Sequence, residues 1–226
     1  MKKVLLTFAE GFHKKFQAIT APRMLEYSLR HGMDFVAANN RLVTGIPYSW
    51  QKIPVMIKMF TLEEVDWILW LDSDVYISKL DICINDTIPM LCNGITNLTT
   101  VHRTAEHGDV PNCGVWLLHK RSLPVLYKIL YLYEIYKDHC WWEQGGFIEK
   151  LKEKNWKKEW HPLHYTWNVH PMDDDHNPDW RKGSCISEFV GNYNFFHCAS
   201  GIHSYEERLA LLKKIDSLTK ERIGHG

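Results

Sequence analysis

Short apolar runs and helix-period stretches take turns along the first third of the chain. Lys3 to Phe8, rich in Val and Leu, reads as a first strand, and Thr7-Phe8-Ala9-Glu10-Gly11 carries the chain out of it in a glycine-containing loop. A helix is predicted from about Ala18 to Arg30, with Ile19, Leu25 and Leu29 among its apolar positions and His31-Gly32 as its stop. Asp34 to Ala38 follows as a second strand. Strand, helix and strand form a βαβ unit, whose crossover is expected to be right-handed. Trp50 to Phe60 is the next predicted helix, with Lys52 and Pro54 in its first turn, where proline is tolerated. Trp67-Ile68-Leu69-Trp70-Leu71 is an unbroken apolar run, the pattern of a strand buried on both faces. These elements predict an α/β fold with a Rossmann-like nucleotide-binding half.

The remainder is more mixed. Ile95 to His102 is β-like, and Pro111-Asn112-Cys113-Gly114 reads as a turn into a buried strand, Val115-Trp116-Leu117-Leu118. Ser122 is placed to cap a helix reaching about Lys137, with Leu126, Ile129, Leu130 and Tyr133 at helical spacing. Trp142 opens a shorter helix that ends near Lys152. From Asn155 to Gly183 the chain is rich in charge and proline and carries His161, His164, His170 and His176, which predicts a loop region over a site. Asn192 to His197 is the last predicted strand. Ser204-Tyr205-Glu206-Glu207 is a capping box for a C-terminal helix with Leu211, Ile215 and Leu218 on one face.

Composition changes this picture little. The length of 226 residues fits one domain, and 45% apolar with 24% charged residues is an ordinary globular profile. Lys plus Arg equals Asp plus Glu at 27 each, so the balance calls for neither nucleic acid nor an anionic membrane surface. The six cysteines include no Cys-x-x-Cys pair, which argues against zinc ribbons and thioredoxin-type motifs and for reduced thiols. Glu10 interrupts the apolar N-terminus too early for a signal-peptide core, and no segment is apolar enough for a membrane span. The expectation is a soluble, cytoplasmic protein from a bacterial, phage or viral setting.

The candidate chemistry lies where the long apolar strand ends, in Asp72-Ser73-Asp74. Two carboxylates at i and i+2 repel each other unless a cation sits between them. Hard oxygen ligands suit Mg²⁺ or Mn²⁺, which can be shared with a diphosphate. In open α/β sheets ligands bind just outside the carboxyl ends of strands, where this pair falls. No Gly-x-Gly-x-x-Gly follows the first strand and no Gly-x-x-x-x-Gly-Lys-Ser/Thr occurs, so a diphosphate bound here needs a metal to neutralise it.

Taken in order, Trp50-Gln51-Lys52-Ile53-Pro54, Trp67 to Asp74, Asn112 to Leu118, Trp142-Glu143-Gln144 and Phe196-His197-Cys198-Ala199 resemble the metal-dependent GT-A-fold glycosyltransferases. The likeness is nearest to the galactosyl- and mannosyltransferase family of yeast Golgi enzymes and plant xyloglucan xylosyltransferases, and runs over about residues 3 to 205. The resemblance implies a mixed central sheet in one domain spanning 1–226. Its nucleotide-sugar half would be about 1–110, and its acceptor and metal-completing half about 111–226. It implies a nucleotide-sugar donor, a UDP-hexose before a GDP-sugar, and a glycan or glycoconjugate hydroxyl as acceptor.

Roles follow from the matched motifs. Asp72 and Asp74 are implied metal ligands, with Asp72 also at the ribose, and His197 completes the metal site, with His203 as its rival. Imidazole ligation favours Mn²⁺, with Mg²⁺ the alternative. Thr7, Phe8 and Ala9 are implied at the base and ribose, and Lys52, Ser73, Asn112 and Gly114 at the donor. Gln144 and Glu143, with Asp74, are the implied catalytic set. Gln144 would stand near the β-face of the anomeric carbon in a retaining reaction, whereas an inverting reaction needs a carboxylate base, with Glu143 first in line. The membrane anchor of the yeast and plant relatives has no counterpart. Trp156, Trp160, Trp167 and Asp173-Asp174-Asp175 match nothing in the family; the expectation is an acceptor-side lobe with rings to stack on sugars. The rival classes are a nucleotide-sugar phosphohydrolase and a non-catalytic carbohydrate-binding module.

Overall fold

The structure, a computed structural model, describes residues 1–84, 86, 95–104, 108–170, 193–198 and 204–224. The first half builds the expected frame. Strand β1 (Lys3–Phe8) leads into helix α1 (His13–Arg30) and strand β2 (Asp34–Ala38), then helix α2 (Lys52–Thr61) and strand β3 (Trp67–Leu71). A one-turn 3₁₀ segment, Tyr48–Gln51, precedes α2, where one continuous helix from Trp50 was predicted. β1 pairs in parallel with β2 on one side and with β3 on the other. The strand order therefore reverses at β1, and the carboxyl ends of β1 and β3 open the crevice used by ligands in such sheets.

Beyond β3 come β4 (Val75–Ile77), β5 (Asn97–Thr104), β6 (Gly108–His119), α3 (Leu123–Tyr131), α4 (Tyr133–Tyr136), α5 (Trp142–Leu151), α6 (Lys154–Glu159), β7 (Trp160–Leu163), β8 (Phe195–His197) and a C-terminal helix, Tyr205–Gly224. The central sheet has six strands in the order β2-β1-β3-β6-β5-β7, and β6 runs antiparallel to both β3 and β5. This is the mixed sheet expected. A separate antiparallel pair, β4 with β8, sets Val75 opposite His197.

Alternation along β1 and β3 explains the unbroken apolar runs. Val4, Leu6, Ile68 and Trp70 face a core shared with α2, α3 and α5, while Leu5, Leu69 and Leu71 face a second core shared with Met24 and Tyr27 of α1. Both faces are covered, so both sets of side chains are apolar. The C-terminal helix seals β4 and β8 through Leu212 and Ile215 against Tyr76 and Phe196.

Several sequence expectations are corrected. Helix α1 starts at His13, and Leu25 and Leu29 face outward, while Phe16, Thr20, Met24, Tyr27 and Ser28 are buried. The Pro111–Gly114 stretch is no turn but the interior of the long strand β6. The β5–β6 register jumps there, from Thr99 opposite Trp116 to Thr100 opposite Asn112, so residues 113–115 have no partner on β5. Pro111, opposite Val101, stands next to this irregularity, where proline is tolerated. Ser122 makes no side-chain cap; its hydroxyl donates to the carbonyl of Thr96 at 2.8 Å. The helix beyond it breaks at Leu132, into α3 and α4.

The predicted loop region from Asn155 is in part regular structure, since α6 and β7 fall within it and β7 adds to the sheet edge alongside β5. Trp160 donates its indole N–H to Thr99 Oγ1 at 3.0 Å, and Trp167 is buried edge-on to Phe195. Trp160 is thus part of the sheet edge and Trp167 part of the core. Asp173-Asp174-Asp175, His176, His203 and Asn192 lie outside the described residues. The capping box holds: Ser204 N–H donates to Glu207 at 2.7 Å and Glu207 N–H to Ser204 Oγ at 3.2 Å.

Candidate active site

A cleft of about 350 Å³ opens at the carboxyl ends of β1 and β3, with Asp72, Ser73 and Asp74 across its floor. The turn carrying them is pinned from several sides. Asp72 N–H donates to the Gly114 carbonyl on β6 (2.9 Å), Val75 N–H to the Asp72 carbonyl (2.9 Å), and Cys198 N–H to the Asp74 carbonyl (3.1 Å). From α1, Thr20 donates to the Ser73 carbonyl at 2.8 Å, and His13 Nδ1 lies 3.3 Å from Ser73 Oγ. The aspartates thus meet the cleft on a backbone with little freedom.

The pairing of β4 with β8 supplies the third member. His197 Nε2 stands 3.4 Å from Asp74 Oδ1 and 3.8 Å from Asp72 Oδ2, and one ligand atom of each residue lies within 4.8 Å of the others. Among the described residues this is the only such group of acids, histidines and cysteines. A one-residue slip between β4 and β8 would turn the imidazole to the other face. Neighbouring ligands of an octahedral ion with bonds of about 2.1 Å stand about 3 Å apart, so the donor set fits a hard divalent cation. Gly114 makes room for the ring. A Cβ built there would collide with His197 Cε1 and Nδ1.

Two buried cations hold the aspartates. Arg208, from the C-terminal helix, pairs with Asp74 Oδ2 and donates Nε to the Cys198 carbonyl at 2.7 Å. Burial alone pushes the Asp74 carboxyl up, but His197 and Arg208 outweigh it and hold it well below the usual carboxylate range. Asp74 is therefore ionised, with Oδ1 left toward His197. Lys52 Nζ reaches Asp72 Oδ1 (2.9 Å), Glu143 Oε1 (2.7 Å) and the Cys113 carbonyl (3.2 Å). Burial lowers the Lys52 pKa, yet the two carboxylates outweigh it and keep the ammonium charged. Its three donors match three acceptors, so Lys52 is committed to the wall of the cleft. The Trp70 indole N–H also donates to Asp72 Oδ1, at 2.7 Å.

Lys52→Met leaves Glu143 and Asp72 without their shared cation. Removing one partner of a buried ion pair costs roughly 3 kcal/mol, about 10 °C in Tm for a chain this size. The double variant Lys52→Met/Glu143→Gln is expected to recover most of that loss, because the buried carboxylate is gone. Thermal melting of the two variants checks this.

Helix α5 presents Glu143 and Gln144 to the same cleft. Burial raises the Glu143 carboxyl above its ordinary value, with Lys52 pulling the other way. Gln144 Oε1 accepts the Cys113 N–H at 3.0 Å. Asn112 Oδ1 accepts from Gly114 N–H (2.8 Å) and from Asn168 Nδ2 (2.9 Å), and Asn168 is itself anchored on Thr100 (2.7 Å).

Of the residues singled out in the sequence, Phe8, Lys52, Asp72, Ser73, Asp74, Asn112, Gly114, Glu143, Gln144 and His197 all line this one cleft. Thr7 and Ala9 do not; both are fully buried, and Ala9 N–H donates to the Ala38 carbonyl. His170, from the region predicted to lie over a site, lines it too, and sequence reasoning missed His13, Tyr48, Tyr205 and Arg208, which line it as well. His13 stacks against Tyr48 with ring centroids 4.2 Å apart, and burial lowers its pKa, so it is neutral near pH 7.

With this geometry in view, similarity to known proteins can be placed. A profile of the galactosyl transferase GMA12/MNN10 family matches residues 6–103, which include α2 and the Asp72–Asp74 turn. No curated protein sequence matches significantly. The structure superposes on a glycosyltransferase involved in the glycosylation of the major capsid of PBCV-1 with a TM-score of 0.69 and 19% identity, covering 95% of this chain and 100% of that one. GlyE of Streptococcus pneumoniae TIGR4 gives a TM-score of 0.59 at 12% identity, with 100% of this chain covered and 64% of GlyE. The galactosyltransferase LgtC, solved with donor and acceptor sugar analogues, gives 0.57 at 11%, covering 96% and 95%. Among the described residues no helix is long and apolar enough to cross a membrane. The profile match and the shared architecture make this chain a glycosyltransferase of the GT-A fold, similar over residues 6–103 to the galactosyl transferase GMA12/MNN10 family.

Proposed function

We propose that the protein transfers a hexose from a nucleoside-diphosphate sugar, a UDP-hexose before a GDP-sugar, to a hydroxyl of a glycan or glycoconjugate, with retention at the anomeric carbon. The observation that carries this reading is the convergence of Asp72, Asp74 and His197 at the carboxyl end of β3, opposite Gln144. Asp72, Asp74 and His197 would hold Mn²⁺, with Mg²⁺ the alternative. Bound there, the ion supplies Lewis-acid stabilisation of the departing diphosphate.

The chain's own residues do the rest. Lys52 fixes Asp72, and Arg208 fixes Asp74, so neither carboxylate reorganises when charge develops; such preorganisation is the larger part of electrostatic catalysis. The wall formed by β6 brings the Gly114 backbone close to the donor sugar, and Asn112 is held for it by Asn168. Gln144 faces the reacting carbon as a weakly basic amide, suited to an oxocarbenium-like state rather than to a stable covalent adduct. Glu143 has one oxygen on Lys52 and the other buried without a partner among the described residues. That placement favours a positioning role for Glu143 over that of a base drawing a proton from an acceptor, and so favours retention. The acceptor proton then passes to the leaving diphosphate oxygen.

The test is incubation with UDP-galactose, UDP-glucose or GDP-mannose and Mn²⁺, with proton NMR of the sugar released or transferred. The expected result is Mn²⁺-dependent release of nucleotide from one donor, with the product first formed as the α-anomer. A β-anomer would contradict retention and return Glu143 to the role of base. No release from any donor would contradict transferase chemistry.

A further inference from the structure

We propose that Trp142 is the platform of the acceptor-sugar subsite, stacking its indole on the C–H face of a pyranoside whose hydroxyl is to be glycosylated. The inference rests on the transferase reading given above, and concerns the part of the cleft lined by the start of α5.

Trp142 opens α5 with φ of +43°, and among the described residues the only other non-glycine with positive φ is Glu64, in the turn after α2. The left-handed region is costly for a bulky aromatic, and such conformations persist where the surroundings over-determine them, often at functional sites. Here they do. Trp142 N–H donates to the His139 carbonyl (2.9 Å) and Gln144 N–H to the Trp141 carbonyl (2.9 Å). Below, α5 is locked by Phe147, whose ring packs on Trp116 with centroids 4.7 Å apart.

This backbone leaves the Trp142 side chain 41% exposed while the next residue, Glu143, is 5% exposed. The ring nevertheless lines the cleft together with Trp141 and Gln144. An indole held at the mouth of a polar cleft, on a strained backbone and two residues from the group facing the reacting carbon, has the flat apolar face that pyranose C–H groups require. Of the tryptophans expected to do this from the sequence, Trp156 packs half-buried against the first core, and Trp160 and Trp167 are taken up by the sheet edge and the second core.

Trp142→Gly removes the ring and the backbone strain together, and Trp142→Phe keeps a smaller ring. Saturation-transfer NMR would be recorded with methyl β-galactopyranoside, methyl β-glucopyranoside and methyl α-mannopyranoside in the presence of UDP and Mn²⁺. The expected result is transfer to the ring protons of at least one glycoside with wild type, at least tenfold weaker affinity with Trp142→Gly and intermediate affinity with Trp142→Phe. Mn²⁺-dependent UDP binding and donor hydrolysis by water should be unchanged in both variants, and Tm of Trp142→Gly no lower than wild type. Equal glycoside binding by Trp142→Gly, no transfer to any glycoside from a wild type that binds UDP, or a glycine variant of clearly lower Tm would each overturn the assignment. Failure of the wild type to bind either UDP or GDP in the presence of Mn²⁺ would overturn the transferase reading beneath it.

Discussion

Replacing Asp74 by asparagine is expected to lower glycosyl transfer on the order of 10³-fold while the fold persists. The carboxylate is one of the three groups around the cation position, and a metal ion's stabilisation of developing charge amounts to several kcal/mol, or about tenfold per 1.4 kcal/mol. Asparagine keeps an oxygen for Arg208 but removes the charge that both His197 and Arg208 face. Alanine does more damage. The buried Arg208 guanidinium loses its counter-charge in either variant, about 3–5 kcal/mol, and alanine also takes away the oxygen that accepts from it, adding about 1–3 kcal/mol. The two variants therefore separate the roles of Asp74: transfer is lost in both, while melting temperature falls further in Asp74→Ala than in Asp74→Asn. Equal transfer by Asp74→Asn and wild type would remove Asp74 from the chemistry.

The second large effect is expected at a residue with no functional group. Gly114→Ala places a methyl group where His197 Cε1 and Nδ1 now lie, with Asn112 Oδ1 only 3.0 Å from the same point. The strand cannot retreat, because Gly114 gives its carbonyl to Asp72 and its N–H to Asn112. The imidazole must therefore move, and it is the member of the proposed three-residue metal set that β8 contributes. Displaced or loosened ligands typically lose about 10–100-fold in metal affinity. We expect Mn²⁺ affinity, measured by electron paramagnetic resonance of the free ion, to drop by that factor with little change in circular dichroism. An unchanged affinity would show that His197 is not a ligand.

The frame of this enzyme was legible where a residue's environment follows from its neighbours in sequence. The run Trp67–Leu71 announced a strand covered on both faces, and its abrupt end in two acids marked the carboxyl end of the strand, where the cleft opens. The βαβ unit followed from period and punctuation. What stayed hidden depended on pairings far apart in the chain. β4 is three residues long and merges with the strand before it, so its partnership with β8 had no local signal, although that pairing brings His197 to the aspartates. Pro111-Asn112-Cys113-Gly114 has turn composition, and only the register jump against β5 explains how it stays in a strand.

Arg208 is the instructive miss. It shares the buried face of the C-terminal helix with Leu212, Ile215 and Thr219. A guanidinium on a buried stripe must have a buried partner, and Asp74 was the acid already singled out. The same reasoning applies to Lys52. Its place on an apolar helix face made it more than a solvated lysine, and its three acceptors now define it as a fixed part of the wall.

The most direct test of the account is thermal melting of the wild type and of Asp74→Asn with UDP, each with and without Mn²⁺. A ligand at 100 times its Kd adds about 2.7 kcal/mol to stability, a shift of several degrees at this size. The expected result is a rise in Tm for the wild type only when UDP and Mn²⁺ are present together, and none for Asp74→Asn. A rise with UDP that is the same without metal, or the same in the variant, would contradict the assignment of Asp72, Asp74 and His197 as the donor's metal site.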